Sequence, residues 1–403
     1  MAGFLLALFA GPAAFAASPI QAPPADRTAA VNGSNAFAAD LFQQLLTHPG
    51  NLFFSPESIS VAFAMAYAGA RGQTAAEMAK AFHFTLPQPR LQPAMGALLA
   101  EMNAPHKNCE LHVANALWAQ KDRNFLPDYL KLVQDNYGAA FHRVDFSTAP
   151  EAARGDINRW VEQQTNDKIE NLIAPGVLTP ATRLVLTNAI YFKGDWRNPF
   201  QKSETKDEDF HLSAVRTVKT PMMHRTGAYR YYDGGSFQAL ELPYAGGDLA
   251  MLVLLPKQIS GLPALERSFT AASTSKWIGN LKPAAKVILT LPRFDMTRQF
   301  QLSEVLSKMG LSQAFGNAAN FSGMTGSPGF TISAAIHKAY IDVNEQGTEA
   351  AAATSTVMRA TAMRRRMPEP PIVFRADHPF LFLIRDTRSG SILFMGRVSD
   401  PAE

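Results

Sequence analysis

The sequence predicts an α+β fold in a single domain. Helical periodicity dominates the first part of the chain, whereas from about residue 218 short β-rich runs follow one another, separated by Gly, Pro and Asp turns. Helices first and strands later favour α+β over alternating β-α-β units. The 403 residues contain no internal repeat and no composition break that would divide them. With 47% apolar residues, the chain can bury a large core.

The first 17 residues are predicted to be a signal peptide. They form an apolar run that ends in small residues, and Ala14-Phe15-Ala16 fits an A-x-A cleavage site. No Lys or Arg precedes the run, so an upstream start or a buried N-terminal helix stays open as an alternative. Residues 18–31, rich in Pro and Ala, are predicted to be a flexible lead-in to a domain of residues 32–403. We therefore expect an exported protein, secreted or periplasmic.

Helices and strands are predicted from apolar spacing. Phe37, Leu41 and Leu45 recur on one helical face. The stretch SPESISVAFAMAYAG predicts a buried helix, with Ser55 as its N-cap and Pro56 in its first turn. LHVANALWAQ has strand character, and the continuous apolar run in TRLVLTNAIYFKGDW predicts a strand buried on both faces. FTISAAIHKAYIDV predicts another strand, and PFLFLIRD with SILFMGRV a hairpin.

Composition and motifs argue against several functions. The net charge of +4 comes from mostly scattered basic residues, so no nucleic-acid groove is expected. The single cysteine, Cys109, excludes an internal disulfide and is expected to be a buried thiol. After the N-terminal run, no stretch has the length of an apolar membrane span. The sequence contains no G-x-S-x-G, H-E-x-x-H or P-loop pattern. We expect no enzyme activity, cofactor, metal, nucleic acid or membrane partner.

Residues 344–371, NEQGTEAAAATSTVMRATAMRRRMPEPP, are unusual because they lie between two strand patterns. The segment begins acidic, continues through four alanines and three Ser or Thr residues, and becomes rich in Met and Arg before a proline cluster. Alone, GTEAAAAT could form an exposed helix capped by Thr348. A solvated helix would normally carry Glu and Lys, however, and these residues are almost all small. The setting favours an exposed loop.

The sequence resembles the serpin family in six motifs that occur in the family's order. They are NLFFSPESISVAFAMAYAGARGQT, LVLTNAIYFKGDWRNPF, ELPYAGGDLAMLVLLP, LPRFDM, IHKAYIDVNEQGTEAAAAT and FRADHPFLFLIRDTRSGSILFMGRVSDP. The resemblance implies an α+β serpin fold with three β-sheets and about nine helices. It also implies an exposed C-terminal reactive-centre loop at about residues 346–373.

The resemblance further implies a monomeric, irreversible suicide inhibitor. A serine protease of trypsin-like, elastase-like or subtilisin-like type would be acylated by the loop in a covalent complex. The cleaved loop would then insert into the main sheet before water hydrolyses the ester. The alternative is a non-inhibitory serpin, a binding or carrier protein whose loop is only a substrate.

Three groups of residues match functional regions of the family. The hinge comprises Glu345, Gly347, Thr348, Glu349, Ala350, Ala351, Ala352 and Ala353. The shutter, where polar groups beneath the sheet exchange partners, comprises Ser55, Ser58, Asn188 and His337. The breach, at the end of the sheet, comprises Trp196, Arg293 and Glu345. The family commonly has lysine where Arg293 stands. Small hinge residues suit entry between two strands, and Gly347 is expected to be a flexible pivot.

Family spacing places the reactive bond at Thr361–Ala362, sixteen positions after Glu345. The distance from Glu345 to Pro379 is 34 positions, longer than is usual in the family, and the surplus is expected after the bond. The position of the surplus leaves alternatives open, which are Arg359, Met363 and Arg364. Thr361 suits an elastase-like or subtilisin-like protease, whereas an arginine would suit a trypsin-like pocket.

Overall fold

The structure is a computed structural model that describes residues 22–105, 108–138, 140–348 and 370–403. Within these ranges, six of the ten α-helices end by residue 164, and twelve of the fifteen strands begin at residue 184 or later. This order confirms the predicted α+β class.

The described ranges contain ten α-helices and fifteen strands. The α-helices are α1 (Pro24–Leu45), α2 (Pro56–Gly69), α3 (Gly72–Ala81), α4 (Gln88–Met102), α5 (Pro127–Tyr137), α6 (Pro150–Gln164), α7 (Leu262–Ser268), α8 (Ala271–Gly279), α9 (Leu302–Lys308) and α10 (Ser322–Thr325). The strands are β1 (Leu52–Phe54), β2 (Cys109–Gln120), β3 (Phe141–Val144), β4 (Leu184–Asp195), β5 (Lys206–Ser213), β6 (Arg216–Asp233), β7 (Phe237–Pro243), β8 (Leu249–Pro256), β9 (Lys282–Pro292), β10 (Phe294–Gln301), β11 (Ala334–Val343), β12 (Gly347–Thr348), β13 (Ile372–Arg375), β14 (Phe380–Asp386) and β15 (Ile392–Val398).

The described strands form two hydrogen-bonded sheets. The larger has the order β1-β15-β14-β8-β7-β6-β9-β13, with β5 paired to β6, and the smaller has the order β10-β11-β12-β4-β2-β3. Strand β6 is 18 residues long; it pairs with β5 along its first part, with β9 along its second part and with β7 at its end. The resemblance implies three sheets. Because β6 pairs with strands on both sides along its length, the described strands form two sheets instead.

Helix α2 lies between the two sheets. All fourteen of its residues are buried, and it packs against β2 and β4 on one side and β15 on the other. Its start is as predicted: the Ser55 hydroxyl accepts a hydrogen bond from the Ser58 N–H at 3.3 Å, and Pro56 occupies the first turn. The burial of this helix on all sides explains its unbroken run of small and apolar residues.

Strand β4 is buried on both faces, as its apolar run predicts. Leu186 and Ile190 face the main core, whereas Val185 and Ala189 face a second core that includes Ile157 of α6. Alternate side chains of a strand point to opposite faces of its sheet. The six-stranded sheet is therefore covered by α2 on one face and by α6 on the other.

The first helix begins earlier than predicted. Helix α1 starts at Pro24, so the predicted lead-in of residues 18–31 is helical from that residue on. Proline is well tolerated at the first helical position and alanine favours the helix, which explains why a Pro/Ala-rich segment folds here. Residues 1–21, which include the predicted signal peptide, lie outside the described ranges. In the described part of the chain, no helix combines the length and the apolarity needed to cross a membrane.

Glu57, in the first turn of α2, is a buried acid that the motifs did not single out. Its side chain is hydrogen-bonded to the Ser391 hydroxyl and lies near Asp386. Burial raises the pKa of Glu57 from 4.5 to about 8, the Ser391 hydrogen bond opposes this rise, and the charge of Asp386 adds to it. Glu57 is therefore neutral in the folded protein at pH 7.

This raised pKa predicts a pH-dependent stability. As the pH rises, the unfolded chain loses the Glu57 proton before the folded chain does. The contribution of this group, present below about pH 4.5, is therefore lost between about pH 5 and 8, at up to ~1.4 kcal/mol per pH unit. We expect Glu57→Gln to melt at a higher temperature than wild type at pH 8 and at a similar temperature at pH 5.

The matched control is Glu304→Gln on α9. Its carboxylate is largely exposed and pairs with Lys308, which lowers the pKa of Glu304, so this group does not titrate in the window. Thermal unfolding of the three proteins at both pH values is the measurement. An equal effect of Glu57→Gln at pH 5 and pH 8 would contradict the assignment.

Candidate functional site

The hinge residues Gly347 and Thr348 form the short strand β12 at one end of the six-stranded sheet. Gly347 pairs with Asp195 and Thr348 with Gly194 of β4, and Thr348 also pairs with Val343 of β11. Both pairings are antiparallel. The start of the predicted hinge is therefore already seated between two strands of the sheet, and Thr348 is completely buried.

Beyond β12, strands β11 and β4 pair directly with each other. The pairing is parallel and runs from Ala334 with Val185 to Tyr340 with Tyr191. We call these seven paired positions the seam. The strands separate after Tyr340 and Tyr191, where β12 lies between them. The sheet is thus open by the width of one strand at its hinge end and closed along the seam.

Gly347 is held in close backbone contact with β4. A Cβ atom at this position would lie 2.0 Å from the carbonyl oxygen of Gly194 and 2.7 Å from the Cα of Asp195. Any other residue would push β12 away from β4. The structure therefore gives this glycine a packing role that differs from the predicted flexible pivot.

Thr348 contacts an aromatic pair. Its hydroxyl lies 3.0 Å from the Tyr244 hydroxyl, and the Tyr244 ring stacks on Trp196 with centroids 4.6 Å apart and planes 12° apart. Burial raises the pKa of Tyr244 far above its usual range, so its hydroxyl stays protonated. The sequence identified Trp196 and Thr348 but missed Tyr244, which follows a strand predicted only as part of the β-rich region.

The turn before the hinge is held by the segment that follows β4. The Trp196 N–H donates to the carbonyl of Gln346 at 2.7 Å, and its indole Nε1–H donates to that of Asn344 at 3.0 Å. The Phe200 N–H donates to the carbonyl of Glu345 at 2.7 Å. Three successive carbonyl groups are thus satisfied, which fixes the direction in which the chain enters the sheet.

The carboxylate of Glu345 is buried and has two partners. Its Oε1 accepts a hydrogen bond from the Thr205 hydroxyl at 2.8 Å, and its Oε2 lies 3.8 Å from Nε of Arg293. The Arg293 side chain is 49% exposed. The structure therefore brings the predicted breach residues together, but the ion pair is long and partly solvated. Thr205, which the motifs did not indicate, holds the carboxylate at the shorter distance.

His337 lies at the centre of the predicted shutter. It is completely buried, its Nε2 accepts from the Ser55 N–H at 3.2 Å, and its Nδ1 contacts Oδ1 of Asn188. Because Nε2 accepts, the proton is on Nδ1 and is donated to Asn188. Burial lowers the pKa of His337 from 6.5 to about 3, so the ring is neutral.

Asn188 extends this network under the sheet. Its Nδ2 donates to the Ser58 hydroxyl at 2.6 Å and contacts Oδ1 of Asn115. Asn115 returns a hydrogen bond from its Nδ2 to the Ser58 carbonyl at 3.1 Å. The structure thus brings the four predicted shutter residues together and adds Asn115. The sequence signal for Asn115 is its position as the polar residue within the otherwise apolar run VANALW.

The remaining predicted site residues lie outside the described ranges. They are Glu349, Ala350, Ala351, Ala352 and Ala353 of the hinge, and Arg359, Thr361, Ala362, Met363 and Arg364 at or near the reactive bond. The described chain resumes at Pro370, two residues before β13. No cluster of His, Cys, Asp and Glu within the described ranges could hold a metal ion. Cys109 is buried there, and burial raises its pKa to about 12.

The low pKa of His337 predicts the second pH effect. As the pH falls, the unfolded chain takes up this proton before the folded chain, so a contribution present above about pH 6.5 is lost toward pH 3, at up to ~1.4 kcal/mol per unit. We expect His337→Gln to be less stable than wild type at pH 7.5 by roughly 2–4 kcal/mol, because buried partners lose their hydrogen bonds. The difference should shrink as the pH falls to 4.

Denaturant midpoints at pH 7.5, 6, 5 and 4 would test this expectation. His83→Gln is a suitable control, because the His83 side chain is 38% exposed and pairs with Asp40 on the surface. A constant difference between His337→Gln and wild type across the pH range would show that the folded protein protonates His337 as readily as the unfolded chain.

Sequence comparison places these residues in a known family. The family model described as Serpin (serine protease inhibitor) matches residues 32–401. An uncharacterised serpin-like protein of Thermococcus kodakarensis is 40% identical over 374 residues, which cover 93% of this chain and 86% of that protein. Human leukocyte elastase inhibitor is 41% identical over 378 residues, covering 91% and 97%.

Solved structures of serpins are similar to this structure over nearly the whole chain. Uncleaved ovalbumin is 31% identical with a TM-score of 0.83, covering 92% of this chain and all of that one. Human thyroxine-binding globulin in complex with thyroxine is 33% identical with a TM-score of 0.83, covering 94% and 100%. The family model and the relatives span nearly the whole chain, and so the protein belongs to the serpin family.

Proposed function

We propose that this serpin is an irreversible suicide inhibitor of a serine protease. The observation that carries the proposal is the position of β12 between β11 and β4, at the open end of a seam that is closed beyond it. The residues that follow Thr348 are Glu349 and four alanines, and then Thr and Ser. Apart from Glu349, which is expected to point out of the sheet because strand side chains alternate between faces, these side chains are small and can pass between two paired strands without steric conflict.

The chemical step is acyl transfer to the protease. The serine hydroxyl of the protease attacks the carbonyl carbon of Thr361, and the bond to the nitrogen of Ala362 breaks. The protease's histidine takes the serine proton and gives it to the leaving amine, which departs on the peptide 362–403. Thr361 remains attached to the protease as an ester, and hydrolysis of that ester would release a cleaved serpin. Inhibition requires insertion to precede this hydrolysis.

Insertion would extend β12 along the seam. Because β12 is antiparallel to both neighbours, two antiparallel ladders would replace one parallel ladder, and antiparallel pairing is slightly more stable per residue. Thr361 lies thirteen positions after Thr348, which at about 3.4 Å per position corresponds to about 44 Å. A protease attached to Thr361 would be carried that far along the sheet, which would distort its active site.

The target is proposed to be a protease that accepts a small or medium residue. Thr361 fits an elastase-like or subtilisin-like pocket, and a relative carries the name leukocyte elastase inhibitor. Arg359 or Arg364 would instead direct a trypsin-like protease. Action as an exported monomer, with a signal peptide in residues 1–17, is part of the same proposal.

A carrier function is the second candidate. It is favoured by the structural likeness to thyroxine-binding globulin and by a cavity of about 250 Å³ between α1, α8 and the turn after β14. The cavity is lined by Asn32, Asn35, Thr274 and Arg385 among others. The buried Thr274 hydroxyl has no hydrogen-bond partner among the described residues. Thyroxine binding at micromolar concentration, together with loop cleavage but no trapping, would favour the carrier.

The inhibitor proposal predicts a covalent complex. After incubation with elastase, subtilisin or trypsin, we expect a complex that survives denaturing gel electrophoresis. We also expect a released peptide whose mass corresponds to residues 362–403. The mass of this peptide also separates Thr361 from Arg359, Met363 and Arg364. Cleavage in the loop by all three proteases without any stable complex would count against inhibition.

The hinge predicts a switch from inhibitor to substrate. Thr348→Arg places a long charged side chain at a completely buried position between β11 and β4, and Thr348→Ser is the matched control. The stoichiometry of inhibition should rise at least tenfold for the arginine variant, with rapid loop cleavage, and stay near one for the serine variant. Unimpaired inhibition by Thr348→Arg would show that the hinge does not enter the sheet.

A further inference from the structure

A small apolar patch lies on the exposed face of the nine-stranded sheet, beside the point where the described chain resumes after the reactive-centre loop. Val373 of β13 and Ile288 of β9 are register partners and are 57% and 37% exposed. Partners on neighbouring strands lie about 5 Å apart, so the two side chains form one continuous surface. We call it the β9–β13 patch. Thr226 of β6, also exposed, is the next residue in the same row.

The patch is held in place although β13 is an edge strand. Arg375, two residues after Val373, forms ion pairs with Glu208 at 2.6 Å and with Asp377 at 2.7 Å. The side chain of Gln238 donates to the carbonyl of Val373 at 3.3 Å. These contacts tie β13 to β5 and β7 as well as to β9. The patch is therefore a preorganised surface, which lowers the entropy lost when a partner binds.

The position of the patch brings it within reach of a protease on the loop. Val373 lies eleven positions after Ala362, and at most about 3.6 Å per position allows a separation of no more than about 40 Å. A protease of about 220 residues has a radius of gyration of about 17 Å, so its body extends over a comparable distance. Pro370 and Pro371, which are exposed, favour an extended chain directly before β13.

We propose that the β9–β13 patch is a second contact surface for the target protease and accelerates formation of the encounter complex. The partner it fits is an apolar side chain at the rim of the protease cleft that binds the residues after the cut. The inference rests on the proposed inhibitor function, and names a specificity determinant outside the loop. The patch alone is far too small for a stable dimer, which needs about 1,200 Å² or more, but it can supplement the contact made by the loop.

The test replaces the two apolar side chains without disturbing the strands. In the double variant Ile288→Thr/Val373→Thr both residues remain β-branched and suited to a strand. Val215→Thr is the matched control, because Val215 is 96% exposed at the turn between β5 and β6, away from β13. Two quantities are measured with whichever of elastase, subtilisin and trypsin cleaves the loop. One is the second-order rate constant of inhibition of the active protease. The other is the Kd for the same protease with its nucleophilic serine replaced by alanine.

We expect the double variant to show a rate constant about fivefold lower and a Kd about fivefold higher than wild type. Its stoichiometry of inhibition and melting temperature should be unchanged, and the control should match wild type. Equal rates and Kd values for wild type and the double variant would overturn the proposal. So would a loss that follows a change of oligomeric state on a sizing column, since the patch would then bind a second copy. A change confined to the stoichiometry would also overturn it, because the patch would then act on loop insertion.

The inactive protease keeps this test separate from the proposed function. It cannot be acylated, so its Kd reports docking whether or not the wild-type serpin traps the active enzyme. If the active protease is released after cleavage, the inhibitor proposal fails, while the Kd comparison still decides whether the patch contributes to docking.

Discussion

The parallel pairing of β11 with β4 is the constraint on which the rest of the structure depends. These seven positions hold the six-stranded sheet together at its centre, and they are also where a further strand would enter. Parallel pairs are slightly less stable per residue than antiparallel ones. In this sheet, the other described pairings are antiparallel except β2 with β3 at the edge. The central ladder is therefore the one whose replacement by two antiparallel ladders would gain most.

The polar network under the seam follows from this constraint. Asn115, Asn188 and His337 lie in one row across β2, β4 and β11, and the contact between Asn188 and His337 crosses the seam. An incoming strand would separate that contact. Asn188 is also bonded to Ser58 and Asn115, and His337 is bonded to the Ser55 N–H. Ser55 and Ser58 both lie at the start of α2, so strands that move apart by the width of one strand would not both keep their bonds to it. The buried groups of the network would therefore have to exchange partners as the seam opens.

The sequence predicts these elements better than it predicts their contacts. The N-cap of α2 and the doubly buried β4 follow from local spacing and composition, and both are found in the structure. The hinge follows instead from the resemblance to the serpin family, and its described part is β12. Tyr244 and Thr205 could not be predicted, because they meet the hinge from positions more than 100 residues earlier in the chain. The start of α1 was misjudged because Pro and Ala are common both in flexible segments and in the first turn of a helix.

The seated hinge bears on the competition between insertion and hydrolysis. The unfavourable step in adding a strand is the first, because chain entropy is lost before a ladder forms. Here that step precedes any cleavage, since Thr348 already pairs with both neighbours and contacts Tyr244. In the uncut chain, residues 349–369 are joined at one end to Thr348 and at the other to Pro370, whereas cutting at Thr361–Ala362 would leave a free end at Thr361. Cleavage would then start propagation from an existing nucleus, and each further residue would add hydrogen bonds on both sides. In a serpin whose hinge had first to enter the sheet, hydrolysis of the ester would have more time to compete with insertion.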